Sequence, residues 1–274
     1  MSMNSFHARQ GKPRPIARTA AAVRDAASAR ADVLLVRQGL AASRAEARIL
    51  IETGRVSWNG GVIAKPGSEL PAEARLTLAA SDEARYVSRG GLKLAGALRE
   101  SGVAVAGRVC LDVGQSTGGF TDCLLQAGAV RVVGVDVGHG QLHAKLRGDA
   151  RVASVEGVNC RALAAADLGG ALPASGFDLI VADVSFISLT LILPRLPALL
   201  AAAGDMLLLV KPQFEVGPEG VGKGGIVRDA CRYDEVEKKL CECAGGLRLR
   251  VRGWLDSPLA GGDGNREFFI WMTP

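Results

Sequence analysis

One segment constrains the fold of this chain more than any other: Leu111-Asp112-Val113-Gly114-Gln115-Ser116-Thr117-Gly118-Gly119-Phe120. An apolar run that ends in a Gly-rich turn and continues into a helical pattern predicts a buried strand delivering its carboxyl end to a ligand. Glycines there let backbone approach the ligand with no Cβ in the way. The next strand, Val132-Val133-Gly134-Val135, ends at Asp136, 22 residues after Gly114. An acid at that place can accept both hydroxyls of a ribose. The glycine pattern is not G-x-G-x-x-G. It suits a nucleoside without pyrophosphate, which points to S-adenosylmethionine over NAD. The bland alternative is an ordinary tight turn, with Asp136 capping the helix that follows.

Around that segment the chain alternates strand and helix. Strands are predicted at Val109–Val113, Val130–Val135, Val152–Val155, Phe177–Val181 and Met206–Val210, with helical stretches between most of them. Such alternation makes a parallel, doubly wound sheet. Two late strands, Leu247–Trp254 and Glu267–Trp271, predict an antiparallel hairpin at one sheet edge. Hydrophobic residues make up 48% of the chain but aromatics only 4%, so the core must be built from Ala, Val, Leu and Ile.

The beginning of the chain reads differently. Residues 1–60 carry ten Lys/Arg against four acids, a net +6, whereas the whole chain is +5. Positive charge gathered at one end predicts a polyanionic partner, nucleic acid before membrane; a solubilising tail is the plain alternative. Residues 1–29 are expected to form a flexible basic arm and 30–80 a small α+β unit. In that unit a helix over Ala31–Val36 ends at Gly39. Ser43 opens a second helix, with Ser43 and Glu46 in capping-box spacing and Gly54 as its stop. Asn59-Gly60 between Val56-Ser57-Trp58 and Val62-Ile63 is a hairpin turn. Arg44 and Arg48 lie four apart and share a helix face. Residues 81–89 form a linker, and 90–274 the α/β domain.

The six cysteines include no C-x-x-C pair. Met1 to Gln10 is polar with no apolar run after it, and no stretch is long enough to span a membrane. A cytosolic protein with reduced thiols is expected. His139 and His143 stand four apart but lack the Glu and third ligand of a zinc motif, so they read as surface histidines and no metal is expected.

Charged residues at apolar strand ends supply the chemistry. Asp183 follows Leu179-Ile180-Val181, and Lys211 follows Leu207-Leu208-Leu209-Val210. Each alone is usually a solvated end. Together, and joined by Lys93 and Glu267, they form a plausible site. A Lys beside apolar residues can lose its proton, and a carboxylate can hold it in place. Gly217-Pro218-Glu219-Gly220-Val221-Gly222-Lys223-Gly224 nearly matches a phosphate-binding loop, but Gly224 replaces the metal-binding hydroxyl and Pro212–Glu215 separate it from its strand. A mobile Gly/Lys loop over a substrate site is the better reading.

The ordered motifs Ser88-Arg89-Gly90-Gly91-x-Lys93, Asp112-Val113-Gly114-x-Ser116-Thr117-Gly118-Gly119-Phe120, Asp183-Val184-Ser185-Phe186, Lys211-Pro212-Gln213-Phe214-Glu215, Gly222-Lys223-Gly224-Gly225 and Asn265-Arg266-Glu267-Phe268 closely resemble the TlyA family. These are two-domain rRNA 2′-O-methyltransferases, long named haemolysins, whose catalytic part resembles FtsJ-type RNA methyltransferases. The resemblance covers about residue 30 to the end. It implies a Rossmann-like S-adenosylmethionine-dependent methyltransferase sheet behind a small αL RNA-binding module of the kind shared with pseudouridine synthases. It implies a catalytic tetrad of Lys93, Asp183, Lys211 and Glu267. It implies a cofactor site of Asp112, Gly114, Ser116, Thr117, Gly118, Gly119, Phe120, Asp136 and Asp183. The substrate it implies is ribosomal RNA of one or both subunits, at a cytidine ribose. Arg30, Arg37, Ser43, Arg44, Arg48, Arg55 and Lys223 are expected to contact that RNA. Two departures stand out: Gln115 replaces a small residue in the turn, bearing on cofactor affinity, and Gly157 replaces a common Arg beside the adenine site. In this reading Lys211 is the general base, Asp183 orients it, and Lys93 with Glu267 holds the acceptor. The competing readings are a pore-forming haemolysin and an inert RNA-binding assembly factor.

Overall fold

Two units divide the chain, Met1–Ala80 and Ser81–Pro274. The computed structural model describes residues 28–41, 43–52, 56–78, 85–261 and 264–274. Residues 1–27 of the expected basic arm, the helix stop at Gly54, Arg55 and linker residues 81–84 lie outside the described residues.

In the first unit, α1 (Ala31–Arg37) and α2 (Arg44–Glu52) pack together. The Ser43 hydroxyl accepts from the Glu46 amide at 3.2 Å, as a helix cap should. Strands β2 (Val56–Trp58) and β3 (Gly61–Val62) form the hairpin, with Asn59 and Gly60 both at positive φ (48° and 79°). Two positive values are what the tight turn matching strand twist requires. Three further strands were not foreseen. β1 (Ser28–Arg30) pairs antiparallel with β4 (Glu69–Pro71), and β5 (Thr77–Leu78) adds to β2. These segments are two or three residues long, so none shows alternation; pairing orders them. The expected boundary at residue 30 therefore cuts through β1. The core is small and aliphatic, built on Leu34, Leu35, Leu50, Ile51 and Val56.

The second unit is a seven-stranded sheet of order β11-β12-β10-β9-β6-β7-β8. Its strands are β6 (Val109–Val113), β7 (Arg131–Asp136), β8 (Val152–Glu156), β9 (Phe177–Ala182), β10 (Leu200–Val210), β11 (Arg250–Asp256) and β12 (Phe268–Thr273). Strands β6 to β10 pair in parallel, and β12 runs antiparallel against both β10 and β11. The central strands are apolar along their length because both faces are covered. Helices α3 (Gly90–Ser101), α4 (Gly119–Gln126) and α5 (Ala144–Arg147) contribute Leu94, Leu124 and Leu146 to one layer. Helix α7 (Cys231–Gly246) contributes Val236 and Leu240 to the other; α6 (Ala165–Leu168) lies between β8 and β9. Between β9 and β10 three separate 3-10 turns replace a helix. Pro194 and Pro197 withhold the amides that a continuous helix there would need. The long hairpin starts at Arg250, not Leu247, because α7 runs on to Gly246.

Candidate active site

The carboxyl ends of β6, β7, β9 and β10 open onto two adjoining cavities of about 280 and 490 Å³, which share Gly114, Ser116, Asp183 and Ser185. The Gly-rich turn lies between them. Gly114 stands at φ 84°, and a Cβ there would lie 2.6 Å from the Asp183 carbonyl oxygen, so the β6 turn can approach the β9 end only as glycine. Gly118 has a different reason. It sits at φ 93° at the start of α4, where a Cβ would strike Leu146 at 2.3 Å. That position, expected to touch a ligand, serves packing.

The larger cavity is walled by Val137, Val184, Phe186 and Ile187, with the Asp136 carboxylate among its lining groups. Asp136 Oδ2 accepts from the Ser116 amide and Oδ1 from the Gly138 amide, both at 2.7 Å. Those bonds fix the carboxylate and leave each oxygen a lone pair for a hydroxyl. The helix that follows is capped by His143, not by Asp136. An apolar slot with a carboxylate among its lining groups fits the adenosine of S-adenosylmethionine.

The smaller cavity is the charged end. Lys93, Asp183 and Lys211 line it together with Thr117, Gly119 and Phe120. Lys211 Nζ lies 2.6 Å from Asp183 Oδ1 and donates to Ser185 Oγ at 2.8 Å. Lys93 Nζ donates to Glu267 Oε2 at 2.5 Å. Glu267 is buried behind Lys93, and burial pushes its carboxyl above the usual range while the Lys93 charge opposes that push. The four charged residues thus form two ion pairs whose charges act on one another.

Asp112, an expected ligand residue, stands behind the cavities, whereas Gln115, the departure noted in the turn, lines the smaller one. Asp112 is buried and accepts from Thr121 Oγ1 at 2.6 Å, and burial pushes its carboxyl up to about 7. Gln115 is buried too. Its side chain donates to Thr121 Oγ1 at 2.9 Å and accepts from Ser154 Oγ at 2.6 Å, bridging the turn to β8. A small residue in its place would leave that bridge unmade. Gly157, at φ 76°, faces the His139 ring. The near-phosphate loop does not behave as one. No helix follows it until Cys231, and Asn265 clamps it by donating to the Gly225 carbonyl and accepting from the Val227 amide. Lys223 is exposed and lines neither cavity.

In the first unit, Arg30, Arg44 and Arg48 line one open depression, with buried Asp32 at its floor. Asp32 accepts from Arg30 through two nitrogens and from Arg44 through one, each at 3.0 Å. Arg48 pairs with Glu52 at 3.2 Å. Arg37 lies elsewhere, beside Arg75. Ser43 spends its hydroxyl on the helix cap.

Residues 86–273 match the FtsJ-like methyltransferase family and residues 29–76 match the S4 domain. The chain is 45% identical to the Mycobacterium tuberculosis 16S/23S rRNA (cytidine-2′-O)-methyltransferase TlyA, over 89% of each. The chain belongs to the TlyA family of FtsJ-like methyltransferases. Hemolysin A of Brachyspira hyodysenteriae is 37% identical over 87% of this chain and 97% of that protein. The solved structure of a candidate hemolysin from Streptococcus thermophilus superposes with a TM-score of 0.67 at 41% identity, covering 90% of this chain and 89% of that one.

Sequence reasoning missed several residues that this family member places at its site. Ser185 Oγ accepts a hydrogen bond from Lys211 Nζ, and its position two residues past Asp183 was the available signal. Phe186 is 91% exposed at φ 64°, against Phe214 with ring centroids 5.2 Å apart. A bulky residue in that backbone region is strained, and such strain gathers at functional loops. Asp32, buried beneath Arg30 and Arg44, was not singled out in the sequence.

Proposed function

We propose that this chain transfers a methyl group from S-adenosylmethionine to the 2′-hydroxyl of a cytidine ribose in ribosomal RNA. The observation that carries the reading is the crevice itself, in which an apolar slot beside Asp136 runs into the Lys211–Asp183 and Lys93–Glu267 pairs. Its relative's name supplies the cytidine ribose and the ribosomal substrate.

S-adenosylmethionine, when bound, supplies a methyl carbon on a positively charged sulfur. Asp136 would hold its ribose hydroxyls, and Val137, Val184 and Ile187 would enclose its adenine. A ribose hydroxyl is a poor nucleophile because its proton is held tightly. Lys211 Nζ, once it has released its own proton to solvent, accepts that proton as the oxygen attacks, and Asp183 holds the ammonium that results. General-base help of this kind contributes roughly 10²–10⁴-fold. Lys93, fixed by Glu267, donates to the acceptor ribose and sets its approach. Positioning the attacking oxygen in line with the methyl carbon can contribute more, with effective concentrations on the order of 10⁵ M or above. Phe186 at the rim offers a face for a nucleobase. The depression formed by Arg30, Arg44 and Arg48 grips RNA phosphates, which positions without reading sequence.

Incubation with ribosomal subunits and methyl-labelled cofactor tests this. Label is expected in rRNA, in a dinucleotide that resists alkaline hydrolysis, because a 2′-O-methyl group blocks cleavage. Label recovered on a base, or none at all while liposomes leak, would overturn it. No helix among the described residues is long and apolar enough to cross a membrane.

A further inference from the structure

Asp183 and Lys211 follow the ends of neighbouring strands, β9 and β10, and each begins a loop. One carboxylate joins the two loops. Glu215, four residues past Lys211, is buried and lines neither cavity. Its Oε1 accepts from the Leu189 amide at 2.7 Å, and its Oε2 accepts from the Ser188 hydroxyl at 2.5 Å. Lys239 of α7 donates to the same Oε2 at 3.2 Å and to the Glu215 carbonyl at 2.9 Å. Ser188 is five residues past Asp183 and also caps the 3-10 turn that follows.

We propose that Glu215 is a positioning residue for proton transfer: it ties the Asp183 loop to the Lys211 loop and so sets the separation of the base and its partner. The inference rests on the methyl-transfer reading of that site. Its physics is short-range. Charge-assisted bonds to a buried carboxylate are strong, and a network with each oxygen satisfied holds one geometry. The arms from Glu215 to Lys211 and from Ser188 to Asp183 are short, so a slip at the tie moves the catalytic atoms. A displacement near 1 Å at a reacting group costs on the order of 10²-fold in rate. The Phe186–Phe214 contact lies on the open side of the same two loops and has no directional bond to replace the tie.

The test compares full-length wild type with Glu215→Gln and Ser188→Ala. Calorimetry counts cofactor-binding sites, and turnover on ribosomal subunits is expressed per site, which divides out any misfolded fraction. Glu215→Gln is expected to lower kcat at least tenfold and Ser188→Ala about threefold, with KM for subunits and Kd for cofactor within threefold of wild type. If Glu215→Gln does not fold, Ser188→Ala decides alone. Turnover per site within a factor of 1.5 of wild type for the folded variants overturns the inference, on the order-of-magnitude grounds above. So does a loss that follows only cofactor affinity, since that marks a merely structural part. If wild type itself puts no methyl group on ribose, the reading of the site falls, and that result is distinct from active wild type with unaffected variants.

Discussion

The two units use the same device, a buried carboxylate that holds cations, with opposite exposure. Asp32 holds Arg30 and Arg44, whose side chains are 47% and 64% exposed. Glu267 holds Lys93, which is 11% exposed. The hydrogen bond from Arg30 keeps the Asp32 carboxyl near 2, whereas burial pushes Glu267 upward despite its lysine. Cations held in water attract phosphates and are screened by salt. A cation held in the interior cannot reorient, and it presents its protons in one direction. The first arrangement suits gripping a large polyanion; the second suits placing one oxygen atom.

The largest effect is expected inside the crevice. Lys211→Ala should lower methyl transfer by about 10³-fold while cofactor affinity, read by calorimetry, stays nearly constant. Lys211→Arg should not restore it, because guanidinium does not give up its proton at neutral pH. Retention of a tenth of the wild-type rate in either variant would remove Lys211 as the base.

Stability should separate the two carboxylates next. Glu267→Ala leaves the Lys93 charge buried and unpaired, at a cost of about 3–5 kcal/mol in urea unfolding. Asp32→Ala leaves exposed guanidiniums, so its cost should be nearer 1 kcal/mol. Equal costs would break the contrast.

The units should also answer pH with opposite sign. Asp112 in the methyltransferase unit stays protonated up to about 7 when folded but ionises near 4 when unfolded, so its contribution is full below 4 and lost as pH rises to 7. Asp112→Asn should flatten that slope, gaining up to about 4 kcal/mol at pH 8 relative to wild type. Asp32 behaves in reverse: its contribution is full above about 4 and lost as pH falls towards 2. Asp32→Asn should therefore matter at pH 5 and not at pH 2. Unfolding midpoints at pH 2, 5 and 8 check both signs.

RNA affinity should depend on the exposed unit. Arg44→Glu with Arg48→Glu should weaken subunit binding about 100-fold and reduce the log–log salt slope, with cofactor binding unchanged. Unchanged binding at both low and moderate salt would assign the positive charge to solubility alone. The smallest effect is expected at the rim, where Phe186→Ala should raise KM for subunits roughly tenfold through lost stacking. A change in cofactor affinity alone would place Phe186 against adenine instead.

Much of this was legible in the chain. A strand buried on both faces must be apolar throughout, so β6, β9 and the second half of β10 announce themselves. Asn59-Gly60 specifies its turn because few other pairs tolerate two positive φ values. The turn at Gly114 and the acid at Asp136 mark a nucleoside slot because their spacing is local. The family motifs added the names of the four charged residues and the identity of the acceptor.

The pairing of those residues was a different matter. Lys93 and Glu267 are 174 positions apart, and they meet because β12 inserts between β10 and β11 while α3 covers the sheet. Strand order is a long-range property that no local periodicity carries. The same holds for Glu215 and Ser188, for the Gln115 bridge to Ser154, and for the short polar strands β1, β4 and β5, which exist only through their partners. By itself the sequence determined which segments are buried, where the backbone must turn and which residue types stand at the strand ends. The tertiary structure alone decided which charge meets which, because that depends on how the strands are ordered in the sheet and how deeply each pair is withdrawn from water.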